Sequence, residues 1–257
     1  MKLNAPQIVA SLVVMSLAQG AGAAPVGQPI DPNDVSMNVM IGNETFSDIV
    51  LNWTASIDDV TKRTVYTLSG DPITLMATDG SSFTIGGAMF DPDPVLLFSA
   101  SATNNSNSAL TYSFSFNTPL SPALTGAINS HAELGVTLTD GLNNGASVQP
   151  LIGQGFMLKS YDLYAGGGSV SKNVDVGTLF SIGSGTAYNF YTADSTLFCA
   201  QSCTTMSSVL SFTLTGKDAV GFSGKVEQMP VPVPGALLLL SSGLFGLLGW
   251  RRRVSAA

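Results

Sequence analysis

The chain has 257 residues, only 11% of them charged, with a formal net charge of −7. Residues 24–230 hold six basic side chains (Lys62, Arg63, Lys159, Lys172, Lys217 and Lys225) against all 17 acidic ones, a balance of −11. A body this acidic repels phosphate, which excludes nucleic acid as a partner and speaks against anionic lipid docking by this region.

The N-terminus reads as an export signal. Lys2 supplies the positive n-region and Ile8–Leu17 a ten-residue, mostly apolar run. Small residues at Ala21 and Ala23 then place signal-peptidase cleavage before Ala24. That run is far shorter than the roughly 20 residues of a spanning helix.

From Val35 onward the pattern has period two. In chain order, strands are expected at 36–41, 46–56, 63–69, 82–89, 95–103, 110–116, 132–139, 147–158, 187–192, 210–214 and 220–226. The clearest is "LTYSFSF", with Leu110, Tyr112, Phe114 and Phe116 on one face and Thr111, Ser113 and Ser115 on the other. Turn clusters separate these runs: "SGDP" at 69–72, "TDGSS" at 78–82, "DPDP" at 91–94, "TNNSNS" at 103–108, "DGLNNG" at 140–145 and "AGGGS" at 165–169. The expectation is an all-β, antiparallel two-layer sandwich over residues 30–227, with a jelly roll as one form of it. A division into two smaller sheets at Pro119–Pro122 or Gly166–Gly168 is the alternative.

Chemistry-bearing residues are sparse. His131 is the only histidine, and no Gly-x-Ser-x-Gly elbow accompanies it; "GSG" at 183–185 falls short of that pattern. Asp58 and Asp59 are adjacent and would point to opposite faces of a strand. Asp91 and Asp93 each precede a proline, as in turns. No catalytic residues are therefore assigned, and a matrix polysaccharide hydrolase is the least favoured reading. Oxygen-rich turns offer calcium candidates at Asp140, Asn143 and Asn144, and at Asp91 with Asp93. Against an EF-type loop, Leu142 and Leu151 stand where ligands belong, so the residues assign no metal and calcium remains an alternative. Cys199 and Cys203 in "FCAQSC" suit a disulfide in an oxidising compartment, since no second Cys/His pair completes a zinc site.

The C-terminus has three parts. A proline step, Val231-Pro232-Val233-Pro234, precedes 16 uncharged residues, Gly235–Trp250, and then Arg251-Arg252-Arg253. Sixteen helical residues reach about 24 Å, close to but short of the hydrocarbon core. The arginines place the following tail, 251–257, in the cytoplasm, and so keep residues 24–230 outside it.

This tail resembles the PEP-CTERM sorting signal of Gram-negative, exopolysaccharide-producing bacteria. Pro232 and Pro234 match its prolines, and Val233 stands in the place of its glutamate, as in a Val-Pro variant. The resemblance covers about a tenth of the chain. It implies recognition and cleavage near the proline step by an exosortase, after transient anchoring in the inner membrane. It then implies delivery to the cell surface or extracellular matrix.

Together these readings give a signal peptide (1–23), a short mature segment (24–29), the sandwich (30–227), a linker with the processing motif (228–234), a membrane segment (235–250) and a basic tail (251–257). The expected function is non-enzymatic: a structural or adhesive protein of an exopolysaccharide or biofilm layer. A lectin-like carbohydrate-binding module, with or without calcium, is the alternative.

Overall fold

The structure is a computed structural model that describes residues 31, 34–47, 49–164 and 170–231. Fourteen strands follow one another: β1 (Ser36–Ile41), β2 (Glu44–Phe46), β3 (Trp53–Ile57), β4 (Thr64–Leu68), β5 (Ile73–Met76), β6 (Ser82–Asp91), β7 (Val95–Thr103), β8 (Leu110–Thr139), β9 (Ala146–Pro150), β10 (Leu158–Tyr164), β11 (Val170–Val176), β12 (Phe180–Ile182), β13 (Thr186–Leu214) and β14 (Ala219–Pro230). Among the described residues no helix is long and apolar enough to cross a membrane.

All pairings are antiparallel and join the strands into one hydrogen-bonded network. Two long strands, β8 and β13, fold that network onto itself. Their first pairing segment, 110–119 of β8 with 205–214 of β13, lies between β1 and β10 and belongs to a first layer, ordered β2-β1-β8-β13-β10-β11. Their second segment, 126–139 with 186–199, begins a second layer that continues β14-β7-β6-β4-β3. Between the segments the register shifts at Cys199, Cys203 and Thr205. There β8 carries the Ser121–Pro122 cis peptide and Gly126, whose φ of +80° an L side chain would oppose.

Contacts between strands that are not hydrogen-bonded neighbours show the layers facing each other. Phe114 of β8 stacks on Phe83 of β6 at 5.5 Å and meets Phe98 of β7 at 5.7 Å. Trp53 of β3 meets Phe116 edge-on at 5.8 Å, and Phe212 of β13 lies 4.7 Å from Phe222 of β14. The inward positions of both layers form one core cluster, the sandwich that alternation implied.

Three strand expectations change. The run 46–56 is broken because β2 belongs to the first layer and β3 to the second. Between the two strands Ile49 and Leu51 pack on the core. The run 147–158 ends at Pro150, which lacks the N–H a ladder needs; a turn closed by Gln154 N–H to the Leu151 carbonyl follows (2.8 Å). The runs 110–116 and 132–139, expected as separate strands, are two stretches of β8, which continues through Pro119–Pro122.

The layers give the molecule two ends. Ser36 pairs with Asn117, Pro230 pairs with Ile128, and the Val231 N–H reaches the Ala127 carbonyl at 2.9 Å. Both ends of the described chain therefore leave beside the β8 bend. Loops 104–109, 140–145 and 215–218 gather at the opposite end, where Asn104 and Asp218 are linked through the Asn104 N–H (2.9 Å). The Cys199–Cys203 disulfide clasps the bend, across the residues by which β13 outruns β8. Closing so short a loop stabilises the fold by about 2 kcal/mol on the chain-entropy model.

Candidate functional site

The outward face of the second layer carries the most distinctive surface. Gly87 of β6, Ser99 of β7, Ser223 of β14, Gly135 of β8 and Phe190 of β13 stand side by side in register. The next row, two residues along each strand, is Met89, Leu97, Lys225, Glu133 and Thr192. Small residues in the first row leave a depression of about 380 Å³, walled by Phe190, Glu133, Lys225, Met89 and Leu97. Phe190 and Tyr188 are 50% and 62% exposed, which is unusual for rings of this size. A Cβ on Gly135 would come within 2.5 Å of Ser223 Oγ and 3.1 Å of Tyr188 Oη. Glycine at that position lets the tyrosine lie close against the sheet.

Beside this trough the surface becomes ionic. His131 Nδ1 lies 2.8 Å from Asp194 Oδ1, and its Nε2 lies 2.9 Å from Glu133 Oε1. Carboxylates only accept, so both bonds form together when the ring is an imidazolium that donates twice. The hydrogen bond to Glu133, then that to Asp194, raises the His131 pKa above its ordinary 6.5, against a smaller opposing effect of burial. Lys225 Nζ bonds Glu227 Oε2 at 2.6 Å, and Glu227 is the cross-strand partner of His131. A second depression of about 500 Å³ adjoins this network, lined by Asn129, His131, Asp194, Thr196 and Met229. Beside the trough the face thus offers the exposed rings of Tyr188 and Phe190 and a line of donors and acceptors, with His131 set between two carboxylates.

The raised His131 pKa fixes a sign. Its ion pairs stabilise the fold fully below pH 6.5, and the contribution is lost as pH rises through the raised folded-state value. As the only histidine, it gives a single imidazole signal in an NMR titration. We expect a midpoint above 6.5 in the native chain, lowered in Glu133→Gln and lowered less in Asp194→Asn. A native midpoint at or below 6.5 would contradict the geometry.

A second polar group is buried between the layers, near the bend. Asp162 of β10 is fully buried, and burial pushes its carboxyl up to about 6, opposed by the hydrogen bond that Gln228 Nε2 donates to Oδ1 at 2.8 Å. The Asp162 carboxylate lies within 4.8 Å of both Cys199 and Cys203 sulfurs. Those sulfurs are joined in the expected disulfide, which removes them as thiolate ligands.

The other sequence candidates have partners of their own. Asp140 is buried in its turn. Burial alone would raise its pKa, but backbone N–H groups led by Gly145 (2.7 Å) and Leu142 (3.1 Å) outweigh that and lower it. Asn143 takes a φ of +57° in the same turn, followed by Asn144. Asp91 and Asp93 both face Arg63, whose Nη2 is 2.6 Å from Asp93 Oδ2. The guanidinium sits where a cation shared by these two carboxylates would lie. Trp53 and Tyr66 pack on Phe90 at 5.0 and 4.8 Å, as core rings. Val231 closes the last backbone bond of the described chain. The cleavage-site residues Ala21, Ala23 and Ala24, the prolines Pro232 and Pro234 with Val233, the apolar segment 235–250 and Arg251–Arg253 lie outside the described residues.

No family model matches the chain, and no curated protein matches it. Among solved structures it is similar to the CBM22-1-GH10 modules of a Clostridium thermocellum xylanase complexed with xylohexaose. That similarity has 11% identity over 66% of this chain and 27% of that one, with a TM-score of 0.28. Comparable likenesses are to TmCBM61 in complex with β-1,4-galactotriose (9% identity, 52% and 71% coverage, TM-score 0.25) and to the family 11 carbohydrate-binding module of a C. thermocellum cellulosomal cellulase (10%, 70% and 89%, TM-score 0.21). At these TM-scores none bears on ligand or activity, and the fold stands on its own strand pairing.

Proposed function

We propose that the chain is an exported cell-surface or extracellular-matrix protein that holds matrix carbohydrate on the outward face of its second layer, in a binding rather than a catalytic role. The observation that carries this reading is the pair of exposed rings, Tyr188 and Phe190, beside a shallow trough floored by Gly87, Ser99 and Ser223. Sugars offer C–H faces that lie against aromatic rings and hydroxyls that pair with carboxylates, ammonium groups and amides. Glu133 and Lys225 supply such groups at the trough, and His131, Asp194 and Asn129 supply them at the second depression. The depression is open to solvent, which suits a sugar laid on the sheet better than an enclosed small molecule.

Export and sorting are the other half of the proposal, resting on the signal peptide and the PEP-CTERM-like tail. Pairing among the described residues ends at Val231, so exosortase cleavage at Pro232–Pro234 would remove none of it. Before cleavage the bend would face the inner membrane, with loops 104–109, 140–145 and 215–218 pointing away.

Retention of the purified full chain on a printed glycan array, in mild detergent and with or without chelator, tests the first half. Absence of any glycan signal in both conditions would sink the carbohydrate reading. Intact-mass analysis from the native host tests the second, with a C-terminus at 230–234 expected. A mature protein still ending at Ala257 would refute sorting and leave the binding face untouched.

A further inference from the structure

The interior polar group near the bend has more acceptors than its neighbours satisfy. Asp162 Oδ2, Gln228 Oε1 and Asn173 Oδ1 are buried without a partner, as are the hydroxyls of Ser130 and Ser208. Their placement is linked. Gln228 reaches from the second layer to Asp162 in the first (2.8 Å), and Ser130 is its cross-strand partner on the same inward face. Ser160, two residues from Asp162 along β10, accepts from Asn173 Nδ2 at 3.4 Å and pairs across to Ser208. The β11 backbone is tied to the second layer here, where Ser195 Oγ donates to the Asn173 carbonyl at 2.7 Å.

The imbalance has a direction. Both amide nitrogens are already used, Gln228 on the carboxylate and Asn173 on Ser160, so the oxygens of these amides are what remain free. An ionised carboxylate forces that orientation on Gln228, because it can only accept. None of the ion pairs among the described residues involves Asp162. Arg63, Lys159, Lys172, Lys217 and Lys225 are each engaged elsewhere. A buried carboxylate with one hydrogen bond and no counter-charge is costly, and lone acceptors left dry add to that cost.

We propose that these oxygens hold one small hard cation between the layers, with Asp162 as its charged ligand and Gln228, Asn173, Ser130 and Ser208 as its neutral ones. The donor set is all oxygen, the kind that suits sodium or calcium and not zinc or copper. One carboxylate balances a monovalent ion fully; calcium would leave a net positive charge inside. This site is separate from the loop turns at Asp140 and Asp91–Asp93, and from the outward glycan face. It clamps β10 and β11 against β14 where the disulfide already fastens the bend.

The test is thermal unfolding of the full chain in mild detergent, at constant ionic strength, in sodium, calcium or tetramethylammonium chloride. The last cation is too large to enter. We expect sodium, calcium or both to raise the melting temperature by about 5 °C over tetramethylammonium, as for a ligand well above its Kd. The difference should vanish in Asp162→Asn, which keeps the oxygen that accepts from Gln228 and loses the charge. Equal melting in all three salts would overturn the proposal and leave buried water as the occupant. So would a shift that survives in Asp162→Asn, because the ion would then sit elsewhere. If that variant does not fold, the comparison of salts on the native chain decides alone.

Discussion

Phe114→Ala is expected to lower the unfolding free energy by about 4 kcal/mol, the range for emptying a buried aromatic site. Phe114 is at the centre of the sandwich in three senses. It is buried on β8, flanked by Val39 of β1 and Leu210 of β13 in the first layer. It reaches across to Phe83 and Phe98 of the second layer and touches Phe116 on its own strand at 6.3 Å. Truncation therefore opens a cavity whose walls belong to four strands besides β8, each held by its own ladder, so collapse is poor and the cost falls high in the range. A domain of ordinary stability, about 5–15 kcal/mol, loses a large share of it. Phe198→Ala is the control. That ring is 64% exposed on β13, and its removal should change stability by about 0.5 kcal/mol or less. Urea unfolding of both variants measures the difference. A Phe114→Ala cost below about 1 kcal/mol would mean that the layers do not pack as described.

Much of this architecture is legible in the sequence, because alternation reports burial wherever one face is core. Ser36–Ile41 and Val95–Thr103 are found at the expected bounds, and Tyr112, Phe114 and Phe116 all point inward. What escapes is anything that needs knowledge of layers. The strands of "LTYSFSF" and "AELGVTLT" are two stretches of one strand, and only long-range pairing reveals that β8 serves both sheets. The short strands β5 and β12, and β10 and β11, carry too little alternation to stand out. The disulfide was readable from compartment and spacing, but its position across the bend was not.

The binding face shows the same limit more sharply. In "TAYNFYT" the larger apolar residues at 188 and 190 would be placed inward by any count of hydrophobicity. The structure turns them outward and sets Ala187, Asn189 and Tyr191 half-buried on the inner side. The reason is pairing: Tyr188 and Phe190 stand opposite Thr137 and Gly135 of β8, whose own pattern puts Val136 and Leu138 inside. A strong central strand dictates the face of its weaker neighbour. Rings left outside against the local pattern are the signal that sequence reading alone lacks. Asp162 is a parallel case, a lone acid in "YDLY" whose burial and neighbours come from three other strands.

The outward rings then carry the second large expectation. With a glycan identified on the array, Phe190→Ala should weaken its binding about tenfold, a loss near 1.4 kcal/mol for one exposed aromatic contact. Tyr188→Ala with Phe190→Ala should reach about a hundredfold if the two rings act on separate sugar units. Neither change should unfold the chain, since both rings are exposed. Gly135→Ala tests the geometry from beneath. Its new Cβ would press on Ser223 Oγ and Tyr188 Oη, lifting the tyrosine and weakening binding without removing a single ligand-facing group. Surface plasmon resonance on the array hit reads all three. If binding is unchanged in the double variant while the chain stays folded, the carbohydrate is held elsewhere on the sandwich. If the double variant loses binding but Gly135→Ala does not, the rings act without being set by the sheet beneath them.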